Sequence, residues 1–395
     1  MTRPVLIFLA LAGFAPASLA QDIWDDPGGW ETEWEADGAL IAAPFAGEPV
    51  QFAVTAGFSA NYVFDNGTGI GFSAGAEFLR DHPARPDFSG LLPPGPPGGG
   101  AEPPSAFSRL GRGPAAEGSS PRFGLDHAYI YIEGGYGELR LGSDDGIGVR
   151  FFEGGPALFS AAGLVNPDLD PTGRLIARTQ NDPTGPASKL SYASPRILGL
   201  RAGASYTPEA SLESFEDDLE DALPGGIVPE LENVVELALN LSRRLPQSGL
   251  RLRAALGWSR ADVGYALQPG LYGAVETWSA GASVEQGPWR AGASWLSSDN
   301  GIAAGSGDYT AWSVSAARSI GRLDLIAEYA EASDDFARLD SRAWQAGLAV
   351  TPEEGWRLAA GWRDERLTTG ALAPSASPAP RDSRRGIVVE ITRSL

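Results

Sequence analysis

Acidic residues cluster in one glycine-rich stretch of the sequence, Gly134 to Pro156, which reads GGYGELRLGSDDGIGVRFFEGGP. A strand-like run ends there in Asp144 and Asp145, and Glu153 follows shortly after. In a soluble enzyme, such carboxylates could bind a metal ion or serve as a general acid and base. In a membrane pore, they could form the charged filter through which solutes pass. The elements that position the stretch decide between these two hypotheses.

The first residues have the pattern of a cleaved secretory signal. The sequence MTRPVLIFLALAGFAPASLAQ has one basic residue, an apolar run from Val5 to about Ala15, and small residues before Gln21. This apolar run is too short to cross a membrane as a helix. We therefore expect residues 1–20 to be a signal peptide and residues 21–395 to form the exported protein.

The composition restricts the partners of the exported chain. It has 50 acidic residues against 30 basic ones, a formal net charge of −20, and no cysteine. The negative charge argues against nucleic acid as a partner, because phosphate binding needs a cationic surface. Without cysteine, neither disulfides nor thiolate metal sites can form. Cations or small neutral solutes are the expected ligands, and no cofactor is predicted.

Period-two alternation of apolar and small polar residues dominates the chain after about residue 50, which predicts strands with two different faces. The run VQFAVTAGFSANYVF alternates in this way, and the turn DNGTG joins it to a second alternating run,. A weak first strand in WETEWEA, from Trp30 to Ala36, and a last strand in GIVVEITRSL complete the pattern. The sequence therefore predicts an all-β chain of about 16 strands, an even number as outer-membrane barrels require.

Tryptophan is frequent in this chain, with 11 residues. Those near strand ends on the predicted apolar face are Trp278, Trp289, Trp295, Trp312, Trp344, Trp356 and Trp362. Aromatic residues in such positions are typical of the two membrane interfaces of a barrel. A soluble sandwich is the alternative, but its core would need more large aliphatic residues than these Ala- and Gly-rich faces supply. The pattern favours a transmembrane antiparallel β-barrel.

Two further loops are predicted from composition. The range Asp81 to Arg122 contains LLPPGPPGGGAEPPS, whose proline and glycine exclude a strand or helix,. The range Pro208 to Glu232 contains the acidic run EASLESFEDDLEDALPGG. We expect both to be external loops. Most simply the acidic run is a solvated loop, and a cation site at Glu216, Asp217 and Asp218 or a cation bridge to lipopolysaccharide is the alternative.

The residues around the opening stretch resemble a known family. GGYGELRLGSDDG, the long insertion after it, and KLSYASPRILGLRAGASYTPE look like the Gram-negative general porins of the type common in alphaproteobacteria. The specific motifs lie within about Tyr129 to Pro208. The resemblance implies a homotrimeric outer-membrane channel for passive diffusion of small hydrophilic solutes and ions, in contact with outer-membrane lipids and lipopolysaccharide. The chain departs from the family at its end, where Leu395 replaces the usual terminal aromatic residue.

The resemblance also implies a site. In that family the third external loop folds into the barrel and narrows the channel. Here the loop would be about Ser143 to Gly185, with Asp144, Asp145 and Glu153 on the acidic side of the constriction and Phe151 and Phe152 as loop anchors. Arginines with lumen parity would supply the facing basic wall, and they are Arg140, Arg251, Arg253, Arg290, Arg357 and Arg363, with Arg201 and Arg322 also on polar faces. The net acidity predicts a mild cation preference.

Two other functions stay open at this point. A hydrolase built on a barrel would have only His82 and His127 as histidine bases, and neither lies in a recognisable nucleophile motif,. A substrate-specific uptake porin, or an adhesive or structural barrel, would use the long loops or a track of binding residues. The sequence indicates no clear aromatic track or charge ladder, so a general channel is the favoured hypothesis.

Overall fold

A computed structural model describes residues 30–45, 50–80, 104–110, 121–211, 228–268, 270–303, 307–370 and 381–395. These residues form a closed barrel in which each strand pairs antiparallel with its neighbours in the chain and the last strand pairs with the first. The strands are β1 (Trp30–Ala42), β2 (Val50–Val63), β3 (Gly69–Arg80), β4 (Arg122–Gly134), β5 (Gly137–Asp144), β6 (Ala187–Ala193), β7 (Leu200–Ser211), β8 (Glu230–Leu245), β9 (Leu250–Gly264), β10 (Val275–Gln286), β11 (Trp289–Ser298), β12 (Tyr309–Ile320), β13 (Leu323–Asp334), β14 (Leu339–Val350), β15 (Trp356–Thr369) and β16 (Arg381–Ser394). The predicted 16-strand barrel is confirmed, including the weak first strand.

Alternation along the strands gives the barrel an apolar outer face. Its exposed side chains include Trp278, Trp289, Trp295, Trp312, Trp344 and Trp362. On β1 to β3, the rings of Trp34, Phe58 and Phe72 form a row with centroid distances of 4.6 and 5.6 Å. Because large apolar side chains stay exposed on this face, it suits a lipid environment. Within the described ranges, no helix is long and apolar enough to span a membrane.

The two rims of the barrel differ in their connections. The rim that carries both ends of the barrel has short turns at 64–68, 135–136, 194–199, 246–249, 287–288, 321–322 and 351–355. The opposite rim, here called the loop rim, carries the longer connections, among them 81–121, 145–186 and 212–229. The predicted loop from Pro208 to Glu232 is shorter than expected, because β7 continues to Ser211 and β8 begins at Glu230.

Several predicted features fall outside the described residues. They are the signal peptide at 1–20, the candidate base His82, and the candidate cation residues Glu216, Asp217 and Asp218. Of the long connection 81–121, the described part is 104–110. The long connection 145–186 is described throughout, and we call it the β5–β6 connection. It contains the short helix α1 (Ile147–Arg150) and a 3₁₀ turn (Pro167–Leu169).

Candidate functional site

The β5–β6 connection begins with a turn that packs against β6 to β8. In α1, Ile147 is fully buried and its backbone N–H donates to the Ser205 hydroxyl at 3.1 Å. Phe151 is buried in a small apolar cluster with Ile147, Ala193 and Ala238. Phe151, one of the two predicted loop anchors, therefore packs against residues of β6 and β8.

From there the connection runs along the inner face of β10 to β16. The backbone N–H of Leu158 donates to the Glu328 carboxylate on β13. The Glu390 carboxylate on β16 accepts from the N–H groups of Ser160, Ala161 and Ala162 at 2.6 to 3.0 Å. Carboxylates that accept several backbone N–H bonds fix a chain firmly, since these bonds are charge-assisted.

The connection then returns along the same wall. On β12, the Tyr309 hydroxyl donates to the Ile176 carbonyl at 2.8 Å. Hydroxyls of Ser294 on β11 and Thr179 meet at 2.8 Å, and Ser259 on β9 donates to the Asn181 side chain at 2.8 Å. Gln51 on β2 also donates to the Asp170 backbone oxygen at 3.1 Å. Contacts of this one segment thus extend from β6 through β16 to β2.

Arg363 on β15 is the most deeply buried fixing point. Its side chain has 0% exposure, and its Nη1 lies 3.3 Å from both Asp170 Oδ1 and Glu365 Oε1. Its Nε donates to Gln345 at 2.8 Å, and its Nη2 donates to the Ala162 carbonyl. Asp170 also accepts from the backbone N–H of Leu175 at 2.9 Å. One guanidinium thus holds the connection on the wall at two points, Ala162 and Asp170.

Glycines on the wall leave room for the backbone of the connection. A Cβ at Gly281 on β10 would overlap the Glu153 carbonyl oxygen. A Cβ at Gly292 on β11 would lie 2.5 Å from the Gly155 Cα, and one at Gly361 on β15 would lie 2.5 Å from a methyl of Leu158. Real Cβ atoms do not approach so closely, so a side chain at Gly281 or Gly292, where the obstacle is backbone, would force the connection to shift,.

Charged residues lie along β5, from Glu138 near its start to Asp144 at the end from which the connection leaves. The Glu138 carboxylate accepts from Arg150 at 3.0 Å, from Arg201 at 3.1 Å, and from Arg140. Arg140 also donates to Asp144 at 2.9 Å. Asp144 is buried, and its charge is paired with that of Arg140.

The other predicted acidic residues have different surroundings. Asp145 follows β5 directly, and partial burial of its carboxyl group, followed by the charges of Asp182 and Asp144, raises the pKa of Asp145 to about 6,. Glu153 is partly buried and accepts from the Asn240 side chain at 3.4 Å. Phe152 is partly buried. Of the three predicted carboxylates, that of Asp145 belongs to the most exposed residue.

The predicted basic residues are paired with carboxylates. Arg251 lies 3.4 Å and Arg253 3.9 Å from Glu285. The remaining pairs are Arg290 with Asp324 at 2.6 Å and Arg357 with Glu390 at 3.7 Å, beside the Arg140 and Arg363 pairs already described. Arg322 is exposed and donates to the Pro352 carbonyl at a turn. The structure does not gather these arginines into one open wall.

Sequence reasoning missed a row of carboxylates on β1. Glu31, Glu33, Glu35 and Asp37 alternate with Trp30 and Trp34, so they share the face opposite the exposed aromatic rings,. All four are exposed, and within the described residues none has an ion-pair partner. The alternation of glutamates with other residues in WETEWEA indicates that these carboxylates share one strand face,.

A second unexpected group links β3 and β4. Ser73 Oγ lies 2.7 Å from His127 Nε2, and His127 Nδ1 lies 2.7 Å from Asp126 Oδ2. A β-bulge opposite Gly75 and Ala76 lets the neighbouring residues Asp126 and His127 interact,. Ser73 is 7% exposed, and a Cβ at Gly75 would contact the His127 ring. In the described part of the chain, no group of acidic residues and histidines could hold a metal ion.

Comparison with known proteins finds a family whose sequence model matches most of the chain. A family model described as Gram-negative porin matches residues 28–351. No curated protein sequence matches the chain significantly.

Solved structures share the fold. They include a porin refined at 1.8 Å resolution, the trimer form of OmpT from Vibrio cholerae, and an anion-selective porin from Comamonas acidovorans. Their sequence identities to this chain are 13%, 13% and 14%, and their TM-scores are 0.52, 0.53 and 0.52. The matches cover 92%, 93% and 93% of this chain and 100% of each structure. At these identities the likeness is one of fold.

Proposed function

The chain belongs to the Gram-negative porin family, and from this premise we propose that it forms a water-filled channel for passive diffusion of small hydrophilic solutes and ions, with a mild cation preference. The family and the fold support an outer-membrane channel for small solutes rather than an enzyme. The observation that carries the proposal is the closed barrel with an exposed apolar outer face and charged inner residues. Ion conductance across planar bilayers tests it.

The β5–β6 connection is proposed to narrow this channel. Its partners, among them Ser205, Ser259, Ser294 and Glu390, lie on the strand face opposite the exposed aromatic residues. A segment held to that face from β6 to β16 occupies part of the lumen. The aqueous path then runs between the connection and the wall made by β1 to β5.

The cation preference is proposed because, within the described part of the chain, the unpaired charges on β1 are negative. The six arginines predicted for the basic wall each lie within 4 Å of a carboxylate, which weakens their fields, whereas Glu31, Glu33, Glu35 and Asp37 are exposed and unpaired among the described residues. An unpaired acidic row concentrates cations near it and raises their rate of entry. The row lies toward the rim of short turns, because β1 pairs there with the end of β2.

Neutralising the acidic row should weaken the cation preference. We expect the variant Glu31→Gln, Glu33→Gln, Glu35→Gln, Asp37→Asn to lower the cation-to-anion permeability ratio roughly twofold, because its uncancelled field is removed. Reversal potential under a salt gradient measures this ratio. Asp340→Asn on β14 removes an exposed carboxylate from the opposite strand face and is the control. An unchanged ratio in the fourfold variant would contradict the assignment.

Asp145 should make selectivity depend on pH. Its pKa of about 6 means that the carboxyl is ionised at pH 7.5 and mostly neutral at pH 5. Because ionisation adds negative charge, cation preference is expected to fall as the pH drops through about 6. The groups facing Asp145 are Asp182, Asp144, Asp126 and Lys189. Between pH 7.5 and 5 the reversal potential should change in the wild type and change less in Asp145→Asn. The same pH dependence in both proteins would refute a role of Asp145 in selectivity.

The remaining partners are proposed from the family. A homotrimer in contact with outer-membrane lipid and lipopolysaccharide is expected, and the exposed aromatic row on β1 to β3 offers an apolar surface to either lipid or a neighbouring subunit,. Crosslinking in native membranes, followed by mass determination, distinguishes a trimer from a monomer.

A hydrolase is the second candidate, because Ser73, His127 and Asp126 are hydrogen-bonded in the order that activates a serine nucleophile,. The exposure of Ser73 is only 7%, which leaves little room for a substrate carbonyl. We therefore expect no covalent labelling of the folded protein by a fluorophosphonate probe. Labelling that Ser73→Ala abolishes would establish the hydrolase instead.

A further inference from the structure

A short part of the β3–β4 connection, residues 104–110, packs far from the strands that it joins. We call it the mouth segment. Its seven residues are all buried, with Ser105 at 0%, Phe107 at 1% and Ser108 at 6% exposure. Its partners belong to connections at the loop rim and to the inner face of β12 and β13, across the barrel from β3 and β4. A surface loop without a built seat would not bury every residue.

We call the surface against which the mouth segment packs its seat. The seat contains buried polar groups that form hydrogen bonds with the mouth segment. Asn300, in the β11–β12 connection, accepts from the backbone N–H of Ser108 at 3.0 Å, and its backbone oxygen accepts from Ala106 at 3.0 Å. The Asp334 carboxylate at the end of β13 accepts from the Ser108 hydroxyl at 2.5 Å and from the Asn300 amide at 2.8 Å. Asn300 and Asp334 have 0% and 1% exposure, so removing Ser108 would leave both with unmade hydrogen bonds,.

The seat also has an apolar part. Phe107 lies with its ring centroid 6.2 Å from that of Tyr309, inside one buried cluster. That cluster draws on strands from β7 to β15, including Leu231 on β8, Leu296 on β11 and Leu367 on β15. It also includes Leu164, Leu175 and Ile176 of the β5–β6 connection. The loop-rim half of this wall is therefore packed like a protein core.

The mouth segment touches the β5–β6 connection directly. Arg109 Nη2 donates to the Pro183 carbonyl at 3.3 Å, and the Tyr272 hydroxyl donates to the Pro104 carbonyl. None of the three buried clusters formed by the described residues includes a side chain from β3, β4 or β5. The mouth segment and the β5–β6 connection thus pack together at the loop rim over the strands from β7 to β15.

We propose that the mouth segment is a second size filter of the channel, placed at the loop rim above the narrowing made by the β5–β6 connection. This inference rests on the proposed channel function. The segment lies over the part of the mouth formed by β7 to β15 and reduces the opening that remains, so that it sets the largest solute that can enter.

Replacement of residues 104–110 by seven glycine and serine residues tests the filter in the full-length protein. Single-channel conductance should rise roughly 1.5-fold or more, since the entrance widens, and liposome swelling should admit larger sugars. The same replacement at 371–377, in the β15–β16 connection, changes no charged residue and is the control of equal length. Unchanged conductance and sugar size limit in a conducting protein would overturn the filter alone. A wild-type barrel that inserts but never conducts would overturn the channel function and the filter together.

Thiol labelling gives a second readout, which does not depend on the folding of the variant with residues 104–110 replaced. The chain has no cysteine, so a single cysteine at Ser108 reports its own access to water. Ser108→Cys should react with an impermeant maleimide about tenfold or more slowly than Ala266→Cys, an exposed position in the β9–β10 connection at the same rim,. Equal labelling rates would overturn the proposal, because the segment would then not be seated.

Discussion

Replacing Arg363 by methionine is expected to release the β5–β6 connection from the wall and to raise single-channel conductance. The change removes the guanidinium that lies 3.3 Å from both Asp170 and Glu365, and it leaves two buried carboxylates without their cation. Loss of one partner from a buried charge pair typically costs about 3–5 kcal/mol. The barrel keeps its strand pairing, so we expect the loss to fall on docking of the connection.

Bilayer recording and thermal unfolding together measure this effect. Conductance should rise and become noisier, and the unfolding temperature should fall. Arg366→Met is the matched control, since Arg366 lies on the same strand with 69% side-chain exposure. Arg363→Lys keeps the charge but loses the forked hydrogen bonds, and an intermediate effect is expected. Wild-type conductance and stability in Arg363→Met would show that Arg363 does not hold the connection.

Replacing Gly281 by alanine is expected to have the opposite effect on conductance. The new Cβ would overlap the Glu153 carbonyl oxygen, and the β10 backbone is fixed by its ladders with β9 and β11. The connection must therefore move away from the wall, by about 1 Å or more to restore contact distance. Its hydrogen bonds to Asn240 and Glu328 on either side keep it attached. The backbone is pushed into the aqueous path.

Conductance of Gly281→Ala should fall by roughly a third to a half, because the path narrows at the displaced backbone. Gly124→Ala on β4 is the control, since an added Cβ there meets no atom within 4 Å. Conductance equal to wild type would mean that the connection does not border the path at Glu153. A rise would mean that the overlap detaches the connection rather than shifting it.

The barrel was predictable from sequence because its signal is local. Strict alternation and short turns define strands without knowledge of distant contacts, and exposed apolar faces are unusual in soluble chains. Even the weak run WETEWEA proved to be part of β1 (Trp30–Ala42). Its alternating glutamates and tryptophans also indicate the acidic row, because they place the carboxylates on one strand face and the rings on the other.

The electrostatic environment of the site was less predictable, because parity gives a side chain's face but not its partner. Arg363 and Asp170 lie 193 residues apart in sequence, and their contact depends on the course of the whole β5–β6 connection. The sequence places Asp144 at the start of the connection. Its pairing with Arg140 could not be predicted, because strand parity does not identify a side chain's partner. The Ser73–His127 contact likewise depends on the local register and β-bulge in the pairing of β3 with β4.

The most direct test of the channel is single-channel recording of the purified protein in planar bilayers, with reversal potential under a salt gradient. We expect ohmic conductance without solute specificity and a reversal potential of the sign that cation preference gives. This preference should decline when the acidic row Glu31, Glu33, Glu35 and Asp37 is neutralised. A folded, inserted barrel that conducts no ions would contradict the account.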